Sequence, residues 1–223
     1  MAIFALSDLH LPLGIDKPMD VFGWRWDNYV EKIEYEWKKI VKDDDFVIIN
    51  GDFSWATYLN EALADFKFIE GLPGRKLLSK GNHDYWWETL TKMNEFLAAN
   101  DIKSVTFLQN NAVLCGDVAV CGAKGWISRN DNSFKKDDEK IYRRELIRLE
   151  ASIKEAQKLS DTIIAAIHFP PDEKQIKLMR DYNVHTCVFG HLHGKRAEDY
   201  VVSSEKCALV SADYLKFTPK RII

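Results

Sequence analysis

Leu77-Leu78-Ser79-Lys80-Gly81-Asn82-His83-Asp84-Tyr85-Trp86 passes from a short apolar run into the polar, aromatic start of a helix, and its reading decides the fold. A strand-to-helix corner that carries an amide oxygen, an imidazole and a carboxylate in consecutive positions is a poor way to fill a core. Each of those groups costs free energy if buried without a partner. It is a good way to build a site. Asn82 can lend a carbonyl oxygen to a hard cation, and His83 can exchange a proton near neutral pH. Asp84 is expected to hold the His83 ring in one tautomer, and other corners of the chain should supply further ligands.

They do so at four more strand ends. Ile3 to Leu6 runs into Ser7-Asp8-Leu9-His10, and residues two apart in an extended chain point the same way, so Asp8 and His10 can reach one metal. Phe46 to Ile49, apolar on both faces like a buried parallel strand, runs into Asn50-Gly51-Asp52. Gly51 permits a sharp turn, and the two oxygens of Asp52 could bridge two cations, although Gly-Asp alone reads equally as a turn or an N-cap. Thr162 to Ile167 ends at His168, and Thr186 to Phe189 ends at Gly190-His191-Leu192-His193-Gly194, where His191 and His193 suit a pair of metal ligands. Of six histidines, only His185 is not at such an end. Ligands of open α/β sheets bind outside the carboxyl ends of the strands, so five polar ends describe one pocket.

Helical periodicity fills the intervals. Val30, Ile33, Trp37, Ile40 and Val41 follow a candidate N-cap at Asp27 or Asn28, and a second helix spans about 59–70 before a Pro73-Gly74 turn. A third is expected over 85–99, with Trp86 in the core and Trp87, roughly 100° round the helix, walling the cleft. A later one presents Tyr142, Leu146, Leu149, Ile153 and Ala156 on one face, with Arg143, Arg144 and Arg148 toward water. Gly116-Asp117, between Ala112 to Cys115 and Val118 to Cys121, is a two-residue turn that joins antiparallel strands and makes the sheet mixed. Residues 11–26 read as a surface loop in which Trp24 and Trp26 either edge the site or cover the core, the second preferred. In the polar stretch 122–140, Trp126 and Arg129 are candidate substrate contacts, since a guanidinium matches phosphate bidentately. Residues 201–210 read as two more strands.

At 223 residues a single domain over 1–223 is expected, with a sizeable core. The 31 Lys plus Arg against 34 Asp plus Glu give a net charge of −3, which implies no attraction to a nucleic-acid polymer or an anionic membrane. The apolar run Ile3 to Leu6 is too short for a signal segment or a membrane span, so no stable membrane insertion is expected and the location expected is cytoplasmic. Four cysteines without CxxC spacing read as buried reduced thiols.

In order, Asp8-Leu9-His10, Gly51-Asp52, Gly81-Asn82-His83-Asp84, His168 and Gly190-His191-Leu192-His193 resemble the five blocks of the calcineurin-like metallophosphoesterase superfamily, across nearly the whole chain. The resemblance implies an α/β fold, a two-sheet mixed β-sandwich flanked by helices, with a dinuclear metal centre. One ion would take Asp8, His10, Asp52 and His193, and the other Asp52, Asn82, His168 and His191. His83 would act on the phosphate without being a ligand, paired with Asp84. Two cations about 3.5–4 Å apart lower the pKa of a bridging water, so that a hydroxide attacks phosphorus in line. Imidazole and carboxylate ligands suit Mn, Fe or Zn.

Departures from the family's branches narrow the substrate. Protein serine/threonine phosphatases continue the second block with an arginine-containing motif and end the third in Glu, whereas here Phe53-Ser54-Trp55 and Asp84 stand at those places. Ser7-Asp8-Leu9-His10-Leu11 is similar to the start of bacterial UDP-diacylglucosamine pyrophosphatases, without their acidic second block, which keeps a nucleotide-lipid pyrophosphatase as the alternative. The expected partner is a small-molecule phosphodiester or phosphomonoester, the diester slightly preferred because the third and last blocks resemble the cyclic-nucleotide phosphodiesterase branch. A non-catalytic interaction module on the same fold is the reading from another class. A vacuolar sorting subunit of the superfamily lacks the reactive histidine, but His83 and all seven ligand positions are intact here.

Overall fold

The computed structural model describes residues 1–17, 19–199 and 206–223. Two five-stranded sheets lie between layers of helix. In the first, β1 (Ile3–Ala5), β2 (Phe46–Asn50), β3 (Arg75–Ser79) and β4 (Val105–Leu108) are parallel, and β10 (Lys220–Arg221) adds to β1 antiparallel, giving the order β10-β1-β2-β3-β4. In the second, β5 (Ala112–Cys115) forms an antiparallel hairpin with β6 (Val118–Ala123), while β7 (Thr162–Ile167), β8 (Thr186–Phe189) and β9 (Cys207–Leu209) continue parallel. The hairpin turns at Gly116, whose φ of 63° suits a residue without a Cβ.

The period of two along each strand sorts side chains between layers. On β2, Phe46 and Ile48 join Ile3, Ala5 and Leu77 against Val120, Ile164, Ala166 and Val188 of the second sheet, while Val47 and Ile49 face the other way. That other face packs on Ile33 and Trp37 of α1 (Tyr29–Ile40), Phe66 and Ile69 of α2 (Leu63–Glu70), and Met93 and Leu97 of α3 (Leu90–Ala99). The second sheet's outer face packs on Leu149 and Ile153 of α4 (Asp138–Gln157) and Met179 of α5 (Glu173–Asp181). Strands buried on both faces explain why β2 and β7 read as unbroken apolar runs.

Boundaries differ from the periodicity where polar side chains claim the backbone. The third helix starts at Leu90, behind a Thr89 cap, and not at Tyr85. The reason is Asp84: it gathers Gly81 N and Trp86 Nε1, so the chain turns with Tyr85 N bonded to His83 O. The second helix starts at Leu63, because Glu61 turns back on the amides of Thr57 and Tyr58. Asn28 stands before α1 in the left-handed region with no side-chain cap bond. Strands β4 and β10 and helix α5 had no expectation, although α5 carries a capping box, Asp172 with Gln175. Of the two strands expected over 201–210, residues 201–205 lie outside the described residues, and within the rest β9 spans Cys207–Leu209. Trp26 is buried as expected, but Trp24 is 78% exposed and covers nothing. Cys115, Cys121 and Cys187 are buried strand residues, and burial pushes the Cys115 and Cys121 thiols up to about 12. No helix among the described residues is long and apolar enough to cross a membrane.

Candidate metal centre

The carboxyl ends of β1, β2, β3, β7 and β8 converge, and ligand atoms collect there in two groups. Asp8, His10 and His193 form one, Asp52, His168 and His191 the other, with the atoms of each group within 4.8 Å of one another. Asp52 joins them. Its Oδ2 lies 3.4 Å from His168 Nε2 and 3.8 Å from His10 Nε2, while its Oδ1 accepts a hydrogen bond from His83 N at 2.8 Å. Asn82 Oδ1 lies 2.8 Å from both His168 Nε2 and His191 Nδ1. The seven residues whose spacing suggested ligands are therefore brought together by the fold.

Local backbone conformation aims them. Asp8, His10, Asp52 and His191 all have positive φ, between 47° and 70°. A non-glycine residue in that region costs about 1–2 kcal/mol, and such strain gathers at functional sites. Glycines admit the close approaches: a Cβ on Gly81 would stand 2.1 Å from Asp52 Oδ1, and one on Gly190 would stand 2.2 Å from Asp8 Oδ2.

The donor set fits divalent cations. His168 Nδ1 faces Asn50 O at 3.0 Å and donates to it. The Nε2 lone pair of a neutral ring then points at the lone pairs of Asn82 Oδ1, which is tolerable only with positive charge between them. His193 Nδ1 likewise donates to Asp213 Oδ1 at 2.8 Å, leaving Nε2 to face His10 Nε2 at 3.3 Å and Asp8 Oδ1 at 3.6 Å. In the chain alone a proton answers this demand. Burial disfavours a charged His168, but Asp52 lifts it to about 9; burial would raise Asp52, but His168 and then His10 hold it below the usual carboxylate range. His10 and His191 are pushed down to about 3, first by burial.

A cavity of about 570 Å³ opens onto this centre, lined by His10, Asp52, His83, His191 and His193 and walled by Trp26 and Trp55. Trp55 lies face to face with His10, centroids 4.6 Å apart at 26°, and packs 4.9 Å from His83. Trp26 is edge-on to both His10 and His193.

Several expectations need correction. Asp84 does not pair with the His83 ring: Oδ2 accepts from Asp52 N and Gly81 N, and Oδ1 from Phe53 N and Trp86 Nε1 with Ser54 N at 3.4 Å. With five donors committed, it ties the second block to the third. Trp87 does not wall the cavity. It packs on Phe107, donates to Gln109 Oε1, and lines a hollow bounded by Lys80 and Lys124. Arg129 forks onto Glu139 through Nε and Nη2 and stacks over Tyr142, so its guanidinium is already matched. Trp126 donates to Asp138 and packs on Phe169, which in turn packs on His191, one ring removed from the centre.

Other site residues were missed. Asp213 orients His193 and also accepts from Gly194 N, and Ser211 Oγ donates to Asp8 Oδ2. The signal for both was the one used elsewhere, polar residues just beyond the apolar run 207–210. Trp55 gave no periodic signal, because it lies outside any helix or strand.

No curated protein matches the chain significantly. Among solved structures it is similar to TT1561 of Thermus thermophilus (14% identity, 98% of this chain and 96% of that one, TM-score 0.50). It is also similar to the protein of unknown function AQ665 from Aquifex aeolicus (15%, 99% and 95%, 0.48) and to GAP50, the anchor in the inner membrane complex of Plasmodium (14%, 95% and 70%, 0.47). At 14% identity the likeness to TT1561 bears on the fold alone. The model of the calcineurin-like phosphoesterase family, in contrast, matches residues 1–195, a span that holds all seven ligand positions and both sheets except β9 and β10. The chain belongs to the calcineurin-like phosphoesterase family.

Proposed function

We propose that this protein is a dinuclear metal-dependent phosphoesterase that hydrolyses a small-molecule phosphodiester or phosphomonoester. The observation that carries it is Asp52 Oδ2, held within 3.8 Å of imidazoles from both ligand groups while Oδ1 is anchored to His83 N. Asp8, His10, Asp52 and His193 would hold one cation, and Asp52, Asn82, His168 and His191 the other. The imidazole, carboxylate and amide donor set suits Mn, Fe or Zn. When bound, two such ions activate water and neutralise phosphoryl oxygens.

The chain's own residues do the rest. His83 projects into the cavity from a main chain fixed by Asp52, with its ring seated against Trp55, so it is positioned to give a proton to the leaving oxygen. Trp26 and Trp55 exclude water from one side and offer apolar surface to an organic substituent. A cavity of about 570 Å³ suits a small phosphate ester better than a phosphoprotein or a nucleic-acid polymer.

Positioned acid catalysis is worth ~10²–10⁴-fold, and a nitrophenolate leaves without it while an alkoxide does not. His83→Ala should keep its metal content, lose little rate on a nitrophenyl ester and lose much on an alkyl or nucleoside ester. Equal losses on both, with full metal, would reject His83 as the proton donor. Absence of turnover of any ester by metal-loaded wild-type protein would reject the enzyme reading and favour an interaction module.

A further inference from the structure

The cavity over the metal centre has a wall that the chemistry above leaves largely unused. Beyond the histidines and Asp52, it is made by Met19, Phe22, Arg25, Trp26 and Trp55, with Gly194 and Asp213 next to His193. Met19 and Phe22 begin and end one short 3₁₀ turn, Trp24–Trp26 form the next, and Gly23 joins them at a φ of 118°, which suits a residue without a Cβ. Most of these side chains are already engaged. Asp213 is committed to His193 and Gly194 N. Trp55 packs on His10 and His83 with Lys17 Nζ 5.1 Å from its ring, and Trp26 packs on Tyr29 and Phe217 as well as on the two histidines. Met19 belongs to the core.

Phe22 is the unusual member. It lines the cavity, yet it is 68% exposed and belongs to none of the core clusters among the described residues. Single exposed apolar side chains are ordinary on a protein surface. This one stands on the rim of a cavity whose floor holds His10, Asp52 and His193, where a bound molecule would take its ring out of water.

The cavity therefore asks two things of one ligand. Its floor suits an anionic head, and Arg25 brings a positive charge to the same wall. Along Met19 and Phe22 the demand is the opposite, because a thioether and a phenyl ring offer no strong hydrogen-bonding group. A sugar or a nucleobase seated there would give up its bonds to water without replacement, which is unfavourable, whereas methylenes gain by leaving water. We propose that the substrate's organic substituent is an apolar alkyl chain seated against Met19, Phe22 and Trp26, and that Phe22 is a specificity-determining residue. The proposal rests on the phosphoesterase reading of the metal centre and narrows its substrate class to amphiphilic phosphate esters.

The test is calorimetric titration of metal-loaded protein with methylphosphonate, butylphosphonate and hydroxypropylphosphonate. All three share one head group that cannot be hydrolysed, and the last matches the butyl compound in length but ends in a hydroxyl. A methylene taken from water is worth up to about fourfold in affinity, so butylphosphonate should bind about tenfold or more tighter than methylphosphonate, and hydroxypropylphosphonate should not share the gain. Phe22→Ser should cut the butyl advantage about threefold or more at unchanged metal content. Trp24→Ser, on the same loop, 78% exposed and outside the cavity lining, should leave it intact. No measurable binding of butylphosphonate, equal affinity for the butyl and methyl or for the butyl and hydroxypropyl compounds, or equal effects of the two variants would each overturn the proposal. Chain-length dependence in a protein that turns over no ester would reject the enzyme reading and keep the alkyl seat, whereas turnover without chain-length dependence would do the reverse.

Discussion

Asp84→Asn isolates what the third block's carboxylate contributes. Its two oxygens divide the work: Oδ1 serves Phe53 N at 2.9 Å, Trp86 Nε1 at 3.0 Å and Ser54 N at 3.4 Å, and Oδ2 serves Asp52 N at 2.9 Å and Gly81 N at 2.7 Å. An asparagine that keeps its oxygen on the first set turns an NH₂ toward the second, placing donor against donor. Two hydrogen bonds to a charged acceptor are then lost, each worth ~1.5–3 kcal/mol, or ~3–6 kcal/mol together. Against a typical total of about 5–15 kcal/mol, that is a large fraction of the fold's stability. Urea unfolding of chelator-treated protein, which removes any contribution from bound metal, should show a loss of this size. In metal-loaded protein, metal content and turnover should fall together, equally on nitrophenyl and alkyl esters, because the displaced amides belong to Asp52 and Gly81. A variant within about 1 kcal/mol of wild type, impaired only on the alkyl ester, would refute this and restore Asp84 as a partner of the His83 ring.

Other consequences are open to simpler measurements. Asp52→Asn should lower metal content at both positions by elemental analysis, whereas Asp8→Asn should mainly deplete one. Asp213→Ala removes the acceptor that orients His193 and should weaken metal binding about 10–100-fold, the usual cost of such a partner, in a competition titration with a chelating dye. Arg129→Ala should leave kcat/KM within about twofold, since its guanidinium is occupied by Glu139; a raised KM would place it on the substrate after all. Asp65 is buried between Ser54 and Leu13, and burial pushes its carboxyl up to about 7 from 3.8. The folded chain then holds a proton that the unfolded chain releases, so the stability that Asp65 contributes should fall as pH rises from about 4 to 7, by of order 4 kcal/mol. Asp65→Asn should flatten that slope relative to wild type, and parallel pH profiles would show that Asp65 titrates normally.

The alternation and the strand ends made much of this protein legible before any coordinates. Unbroken apolar runs such as Phe46 to Ile49 and Thr162 to Ile167 are buried on both faces, which calls for a covering layer on each side; that one of those layers is a second sheet was implied by the family resemblance and not by the runs. A strand's end is also a fixed place in such a fold, so ligand-type residues at five ends had to meet wherever the strands ran parallel. The local code could not say which partner a polar side chain would find. Asp84 lies beside His83 in sequence, yet its carboxylate turns to amides about 30 residues away, because Gly51-Asp52 and Gly81 approach so closely that their N–H groups converge on it. Arg129 has the chemistry of a phosphate clamp and spends it on Glu139, ten residues on. Asp213 and Trp55 have no spacing that ties them to His193 and His10, and only the packing of β9's end and of the loop after β2 brings them there. Residue type and position along the strand thus determined what the site is made of. Long-range backbone approach, invisible in one dimension, decided which of those groups are free to act and which are held in place.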